Sequence, residues 1–269
     1  MKTNLSQNPK SLVVIPARGG SVSIPGKNLQ EVNNLPLILR SIRHSLRFLQ
    51  KDVLVCISSD SETILRESIK FINQSCDATK FVSVNNEIKI SSSFVIHRRP
   101  SLLSDANSST WNLLIYLSRK LKIDLQLDVS KFLILQPTSP FRNEQELSYF
   151  QSIVHPNCEE EVISVRKLGE VHPERMYRID RHENLSSLST KVSLSSFKPR
   201  QELEPLFIRD GGYYLVSSQN VGSHGPKNLS FKAYVRKFPW NLNIDELSDL
   251  IIAKSIPTSL YEGDPNEIH

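Results

Sequence analysis

Leu12-Val-Val-Ile-Pro-Ala-Arg-Gly-Gly-Ser-Val-Ser-Ile-Pro-Gly-Lys-Asn28 decides how the chain is read. Its first four residues, Leu12 to Ile15, are a continuous apolar run, the pattern of a strand buried on both faces of a sheet. Pro16 ends the run. Gly19 and Gly20 let a ligand approach the main chain closely, and amides there, flanked by Arg18 and Lys27, would form an anion cradle. A buried strand opening into a Gly- and Ser-containing loop with cations is how nucleotide-binding α/β domains begin. The glycines at 19, 20 and 26 do not spell the dinucleotide Gly-x-Gly-x-x-Gly pattern, and the loop lacks the Gly-Lys-Ser/Thr ending of a P-loop. On composition alone, a plain surface turn is the alternative.

Outward from this stretch the chain alternates between strand and helix patterns. Leu35, Leu39, Ile42, Leu46 and Leu49 predict a helix over 35–49 with Pro36 in its first turn, and Val53 to Ile57 a second buried strand. Ser58-Ser59-Asp60-Ser61 offers caps for a helix to about Ile72, and Asp60 and Asp105 are read as caps, not catalysts. Residues 73–93 form a polar excursion apart from Phe81 to Val84. Then come a strand at Phe94 to His97, a helix at Thr110 to Lys122, and a strand at Lys131 to Leu135. A capping pair, Asn143 and Glu146, starts a helix to about Val154, and Val162 to Val165 is a strand. Residues 166–209, with Pro173, Pro199 and Pro205, break the rhythm as an inserted arm or functional loop. Alternation returns at Gly212 to Val216 and Lys232 to Val235, and a last helix runs from Asp245 to about Ser255. The pattern predicts an α/β fold with a parallel sheet, a polar tail at 1–11, one domain at 12–257 and a second tail at 258–269.

Composition narrows the function. The chain has 269 residues, 39% of them hydrophobic, enough for one large domain. A net charge of +5 favours anionic ligands, but lysines and arginines are spread along the chain with no basic block, so no nucleic-acid partner is expected. Met1 to Ser11 lacks the apolar segment of a signal peptide, and no run approaches the ~20 apolar residues of a membrane helix. A soluble, cytoplasmic protein with no membrane partner is the expectation. Cys56, Cys76 and Cys158 are too far apart in sequence for a Cys-x-x-Cys metal site and suit no disulfide framework.

Arg18, Ser21, Lys27 and Asn28, spaced as Ala-Arg-x-x-Ser-x-x-x-Pro-x-Lys-Asn, resemble the signature of the sugar-acid cytidylyltransferases, in particular the acylneuraminate branch. Leu135-Gln-Pro-Thr-Ser-Pro-Phe-Arg142 resembles that family's strand-end motif. Further likenesses lie at Arg99-Pro100 with Ser104 to Ser109, at Pro199-Arg200-Gln201, at Arg209-Asp-Gly-Gly-Tyr-Tyr214, and at Asn243-Ile244-Asp245. The resemblance covers 12–254 and implies a three-layer, GT-A-related, Rossmann-like nucleotidyltransferase with a mixed, mostly parallel sheet and an inserted dimerisation arm. It implies transfer of CMP from CTP to the anomeric hydroxyl of a sialic-like nonulosonic acid, with Mg²⁺ and in a homodimer. By that likeness Arg18 and Lys27, with Asp245, are the catalytic set. Ala17, Arg18, Gly19, Ser21, Lys27, Asn28, Arg99, Asn107 and Ser109 bind the nucleotide, Asn28 through its amide to a phosphate or ribose oxygen. Gln136, Arg200, Arg209 and Tyr214 bind the sugar acid, and Asp245 and Asn243 the metal. A KDO-specific member would carry a carboxylate near Gln136-Pro137, so its absence favours a sialic-type acceptor.

The chain departs from the family pattern in places. Val22 stands where a Lys usually follows the serine, so Arg40, Arg43 or Lys27 would have to supply that charge. Asn243 stands where the first Asp of an Asp-x-Asp pair is common, and Ile208 holds the usual arginine position, with Arg209 one residue later. A one-residue slip in a strand points a side chain to the other face. These losses of charge motivate a second reading, a cytidine-nucleotide-binding homologue with impaired catalysis. A GT-A-type glycosyltransferase is a third, by analogy of fold.

Overall fold

The computed structural model describes residues 9–21, 23–76, 80–105, 108–169, 171–188, 199–221 and 231–260. In chain order the elements are β1 (Lys10–Pro16), the short strands β2 (Glu31–Val32) and β3 (Leu35–Pro36), α1 (Leu37–Leu46), β4 (Val53–Ser59), α2 (Glu62–Ser75), β5 (Val82–Ser83), β6 (Ile88–Ile90) and β7 (Phe94–Arg98). They continue with α3 (Thr110–Leu125), β8 (Val129–Ile134), α4 (Glu144–Ile153), β9 (Val162–Lys167), β10 (Tyr177–Ile179), β11 (Leu185–Ser187), β12 (Phe207–Ser217), β13 (Lys232–Arg236) and α5 (Leu247–Ser255).

One sheet runs β13-β9-β12-β8-β1-β4-β7-β6-β5. Its centre, β8-β1-β4-β7, is parallel, and β12 and β6 reverse direction on either side. Leu12 and Val14 of β1 pack with Leu113, Leu117 and Leu121 of α3, whereas Val13 and Ile15 pack with Ile38 and Ile42 of α1, Ile64 of α2 and Phe150 of α4. Alternate residues thus feed two apolar layers, which explains why β1 reads as unbroken hydrophobic sequence. The result is the expected three-layer α/β architecture with a mixed, mostly parallel sheet.

A third cluster fastens the carboxyl-terminal part of the chain to the opening loop. Ile24, Val32, Leu37 and Phe141 meet Ile244, Leu250, Ala253 and Ile256. The Ile244 amide donates to the Thr138 carbonyl at 2.7 Å. Asp245 is thereby carried to the rim of the sheet. Residue Asp249 accepts from the amides of Asp245 and Glu246 at 2.9 and 2.8 Å, so α5 starts at Leu247 and Asp245 sits in the loop before it.

Several boundaries differ from the sequence expectation. Leu35 and Pro36 do not open a helix: Val32 pairs with Leu35 across Asn33-Asn34, whose φ values of 48° and 62° suit the two-residue turn of a tight hairpin. The excursion 73–93 contains β5 and β6, which extend the sheet beyond β7, with Ile88 and Ile90 buried on either side of exposed Lys89. β12 does not alternate, because it lies between β8 and β9 and is covered on both faces over most of Asp210 to Val216. The arm includes β10 and β11, a separate antiparallel pair exposing Ile179 and Leu185. Among the described residues, no helix is long and apolar enough to cross a membrane.

Candidate active site

The carboxyl ends of the parallel strands converge on one rim, the place where open α/β sheets bind ligands. β1 leads into Ala17 to Ser21, β4 into Ser59 and Asp60, β7 into Arg99, and β8 into Gln136 to Thr138. A cavity of about 740 Å³ opens there, with Arg18, Ser21, Lys27, Asn28, Arg99, Ser109, Gln136 and Asp245 in its lining. That volume suits a nucleotide-sized ligand, since ligand clefts run to roughly 300–1,000 Å³. A second cavity of about 390 Å³ shares Ser109, Thr110 and Gln136 with the first and adds Arg209, Tyr214 and Asn243. Trp111 and Ile208 also line it, two residues that the sequence reading did not assign to the site.

Internal hydrogen bonds shape the loop. The Asn28 amide, expected to meet a phosphate or ribose oxygen, donates instead to the Arg18 carbonyl at 2.7 Å. Its job here is to curl the loop. Gly19 donates its amide to Asp60 Oδ1 at 2.8 Å, and a Cβ on Gly19 would lie 2.7 Å from Ser61 Cβ, so only glycine fits. Asp60 is therefore a loop anchor and not a cap; Ser61 caps α2 by accepting from Ile64. Ser109, not Asp105, caps α3, and the Asp105 carbonyl accepts from Arg18 Nη1 at 2.6 Å. Ala17 is fully buried behind the loop, its amide on the Ser58 carbonyl. Arg40 is not the stand-in cation: it is buried, and its Nε donates to the Val32 carbonyl at 3.0 Å. Val22, Asn107 and the Arg200 side chain lie outside the described residues.

Lys27 is placed differently from a plain phosphate ligand. Its ammonium donates to the carbonyls of Ile244 and Asp245 at 3.1 and 2.9 Å and lies 3.9 Å from Asp245 Oδ1. It lines the cavity and ties its two ends together. Arg99 is held by Ser58, donating from Nη2 to its carbonyl at 2.9 Å and from Nε to its hydroxyl at 3.2 Å. Burial pushes the Arg99 guanidinium down to about 10, against the pull of Asp60, and it stays charged at neutral pH. Arg18, Lys27 and Arg99 face the larger cavity with Asp245 as the sole carboxylate among its lining residues.

Behind Ser58 sits His97, whose Nδ1 lies 2.9 Å from the Ser58 hydroxyl and whose Nε2 has no partner among the described residues. Burial, then the charge of Arg99, pushes its pKa down to about 4 from 6.5, against the opposing pull of Glu87. His44 is lowered too, by burial and by Arg142. Between the folded and unfolded values the unfolded chain binds more protons, so stability is full above about pH 6.5 and falls as pH drops towards 4. Since one pKa unit is worth about 1.4 kcal/mol, His97 contributes about 3 kcal/mol to this loss. Thermal melting followed from pH 7 to 4 should show the decline, and His97→Gln should flatten it; an unchanged slope in the variant would contradict the assignment.

Mg²⁺ would find hard oxygen donors in one place. Asp245 has an exposed carboxylate, and Asn243 Oδ1 is buried with no partner among the described residues while its Nδ2 donates to Asp245 Oδ2 at 2.6 Å. No group of three or more His, Cys, Asp or Glu gathers among the described residues. One carboxylate and one amide oxygen fit an ion that keeps several waters and takes phosphate oxygens.

Comparison with known proteins agrees with the sequence motifs. A family model described as Cytidylyltransferase matches residues 12–81. A CMP-N,N'-diacetyllegionaminic acid synthase of Legionella pneumophila is 25% identical over 210 residues, covering 78% of this chain and 79% of that one. An N-acylneuraminate cytidylyltransferase of Streptococcus agalactiae is 26% identical over 247 residues, and this chain spans only 52% of its length. A pseudaminic acid cytidylyltransferase of Campylobacter jejuni is 44% identical over 62 residues, 23% of this chain. The fold is shared with a CMP:2-keto-3-deoxy-manno-octonic acid synthetase solved with CTP, at a TM-score of 0.55 and 14% identity, over 91% of this chain and 97% of that one. With the loop and strand-end motifs on one rim of that fold, the chain is similar in sequence to cytidylyltransferases that act on sugar acids.

Proposed function

We propose that the chain transfers CMP from CTP to the anomeric hydroxyl of a sialic-like nonulosonic acid and releases pyrophosphate. The observation that carries this reading is the pair of joined cavities. The larger is lined by Arg18, Lys27 and Arg99 against one carboxylate, and Gln136 and Ser109 form its border with a second pocket that contains Arg209. A polyphosphate suits the first and an anionic acceptor the second. In the reaction the anomeric oxygen bonds to the α-phosphorus as the bond to the bridging oxygen breaks, pyrophosphate leaving with that electron pair and the hydroxyl proton passing to water.

Catalysis of such transfers rests on positioning and on charges aimed at the transferring and leaving oxygens. Arg18, Lys27 and the main chain near Ser21 hold the triphosphate, while Arg99 and Ser109 border the nucleoside. Gln136, Arg209 and Tyr214 face the acceptor, and Arg200 is assigned to its carboxylate by the sequence resemblance alone. Asp245 and the Asn243 carbonyl would hold Mg²⁺, which supplies positive charge to the phosphate oxygens when bound. The apolar residues exposed on β10 and β11 support a homodimer built through the arm.

Pyrophosphate release from CTP with Mg²⁺ tests the reading across neuraminic, legionaminic and pseudaminic acids and KDO. Release with an N-acylated nonulosonic acid and not with KDO is expected. Tight CTP binding with silence across the panel overturns it in favour of a nucleotide-binding homologue without turnover, and release with KDO alone overturns the acceptor class.

A further inference from the structure

Behind the smaller cavity the register of β12 on β9 shifts between Arg209, opposite Val165, and Tyr214, opposite Ile163. Four residues of one strand, Asp210, Gly211, Gly212 and Tyr213, thus stand opposite the single residue Ser164 of the other, a bulge. Its front presses on the site. Gly211 has φ +76°, and a Cβ there would lie 2.6 Å from Gln136 Oε1 and 3.2 Å from Asn243 Oδ1. On its back, a Cβ on Gly212 would lie 2.0 Å from Arg236 Nη1, so the glycine main chain is clamped between the acceptor pocket and a buried guanidinium.

The clamp is ionic and buried. Asp210 accepts from the Gly212 amide at 3.0 Å and from the Ser164 hydroxyl, which itself accepts from the Tyr213 amide at 2.8 Å. The other Asp210 oxygen meets Arg236 Nη1 at 3.4 Å. Arg142 donates from Nη2 to the carbonyls of Gln136 and Gly212 at 2.9 and 3.2 Å, bridging the two main-chain segments that flank the acceptor pocket. Both guanidiniums lie 5.4 Å from the centroid of the Tyr213 ring. None of Arg142, Asp210 or Arg236 lines either cavity.

We infer that Arg142 and Asp210 are positioning residues for the sugar acid: they hold the Gly211-Gly212 main chain against Gln136 and Asn243 and so set the shape of the acceptor pocket. The inference rests on the proposed function. Strands β9, β12 and β13 and the loop before α4 meet in the clamp, and none of its charged side chains lines the larger cavity, so its loosening should act more on the acceptor than on the nucleotide. Small displacements of a positioned group are costly in this way even when the chemistry is untouched.

The test compares Arg142→Lys and Asp210→Asn with wild type, and with Lys131→Met as a control. Lys131 is buried on β8 but donates to the Cys158 carbonyl at the far end of the strand from the site. Pyrophosphate release gives KM for the sugar acid and kcat, calorimetry gives the CTP affinity, and thermal melting reports folding. The expected result is a KM for the acceptor raised roughly tenfold or more in both clamp variants, with kcat and CTP affinity within about threefold of wild type. The control should lose thermal stability without moving KM. Should Asp210→Asn fail to fold, Arg142→Lys still decides the matter, because lysine keeps the charge. Acceptor KM unchanged, or CTP affinity falling in step with it, overturns the inference alone. A wild-type chain that releases no pyrophosphate with any sugar acid overturns the proposed function and this inference with it.

Discussion

Lys27→Ala should lower pyrophosphate release by about 10²–10³-fold, the scale seen when one preorganised donor to a developing oxyanion is removed. Three observations set that expectation: the ammonium lines the larger cavity, it is nearly buried, and it lies between the opening loop and Asp245. The same placement gives the variant a second consequence. Removing the ammonium leaves the buried Ile244 carbonyl without this partner, which costs about 1–3 kcal/mol. Melting should therefore drop along with activity, unlike in Arg18→Ala, where the lost bond is to a carbonyl at an exposed position. The two effects separate by measurement. Full turnover with a lowered melting point would show that Lys27 only ties the carboxyl-terminal segment to the loop, and the triphosphate would then depend on Arg18 and Arg99.

How much of this was legible depended on distance along the chain. Leu12 to Ile15, Val53 to Ile57 and the Asn143/Glu146 cap are local patterns, and the structure shows each where the residues announce it, down to the reciprocal bonds of the capping box. The turn at Asn33-Asn34 was also local, yet it was covered by a helix period that continues through Leu35. Ile88 and Ile90 alternate as an edge strand should, but two apolar residues in a polar stretch carry too little signal. Gly211-Gly212 looked like a motif and not like a bulge, because what requires Gly212 is Arg236, 24 residues later in the chain, and what crowds Gly211 is Gln136 and Asn243. Similarly, Asp60, just past the end of β4, holds Gly19 in the loop after β1. The motif named the loop residues; the partners that hold them come from elsewhere in the fold.

Arg236→Met should be the most destabilising single change in the clamp. The Arg236 side chain is fully buried, as is Asp210, and Glu146 is 2% exposed. Arg236 donates from Nε and Nη2 to the two Glu146 oxygens at 2.8 and 3.1 Å, a fork that lysine cannot reproduce. Burial alone would lower the Arg236 pKa, but Glu146 and then Asp210 hold it above the usual arginine value. Methionine fills similar space and removes the charge, leaving two buried carboxylates without their main cation. Breaking a buried pair in this way costs about 3–5 kcal/mol, a large share of the roughly 5–15 kcal/mol that holds a domain folded. Urea denaturation of the variant measures the loss, and a change below about 1 kcal/mol would contradict it. A second variant identifies the cause. If the cost comes from uncompensated charge, Arg236→Met combined with Glu146→Leu should be more stable than Arg236→Met alone, because replacing a buried ion pair by apolar groups is close to neutral. If the lost bonds to the Ser139 hydroxyl and the Phe141 carbonyl dominate instead, the double variant recovers nothing, and Arg236 serves the fold by fastening the 139–141 turn and not by its charge.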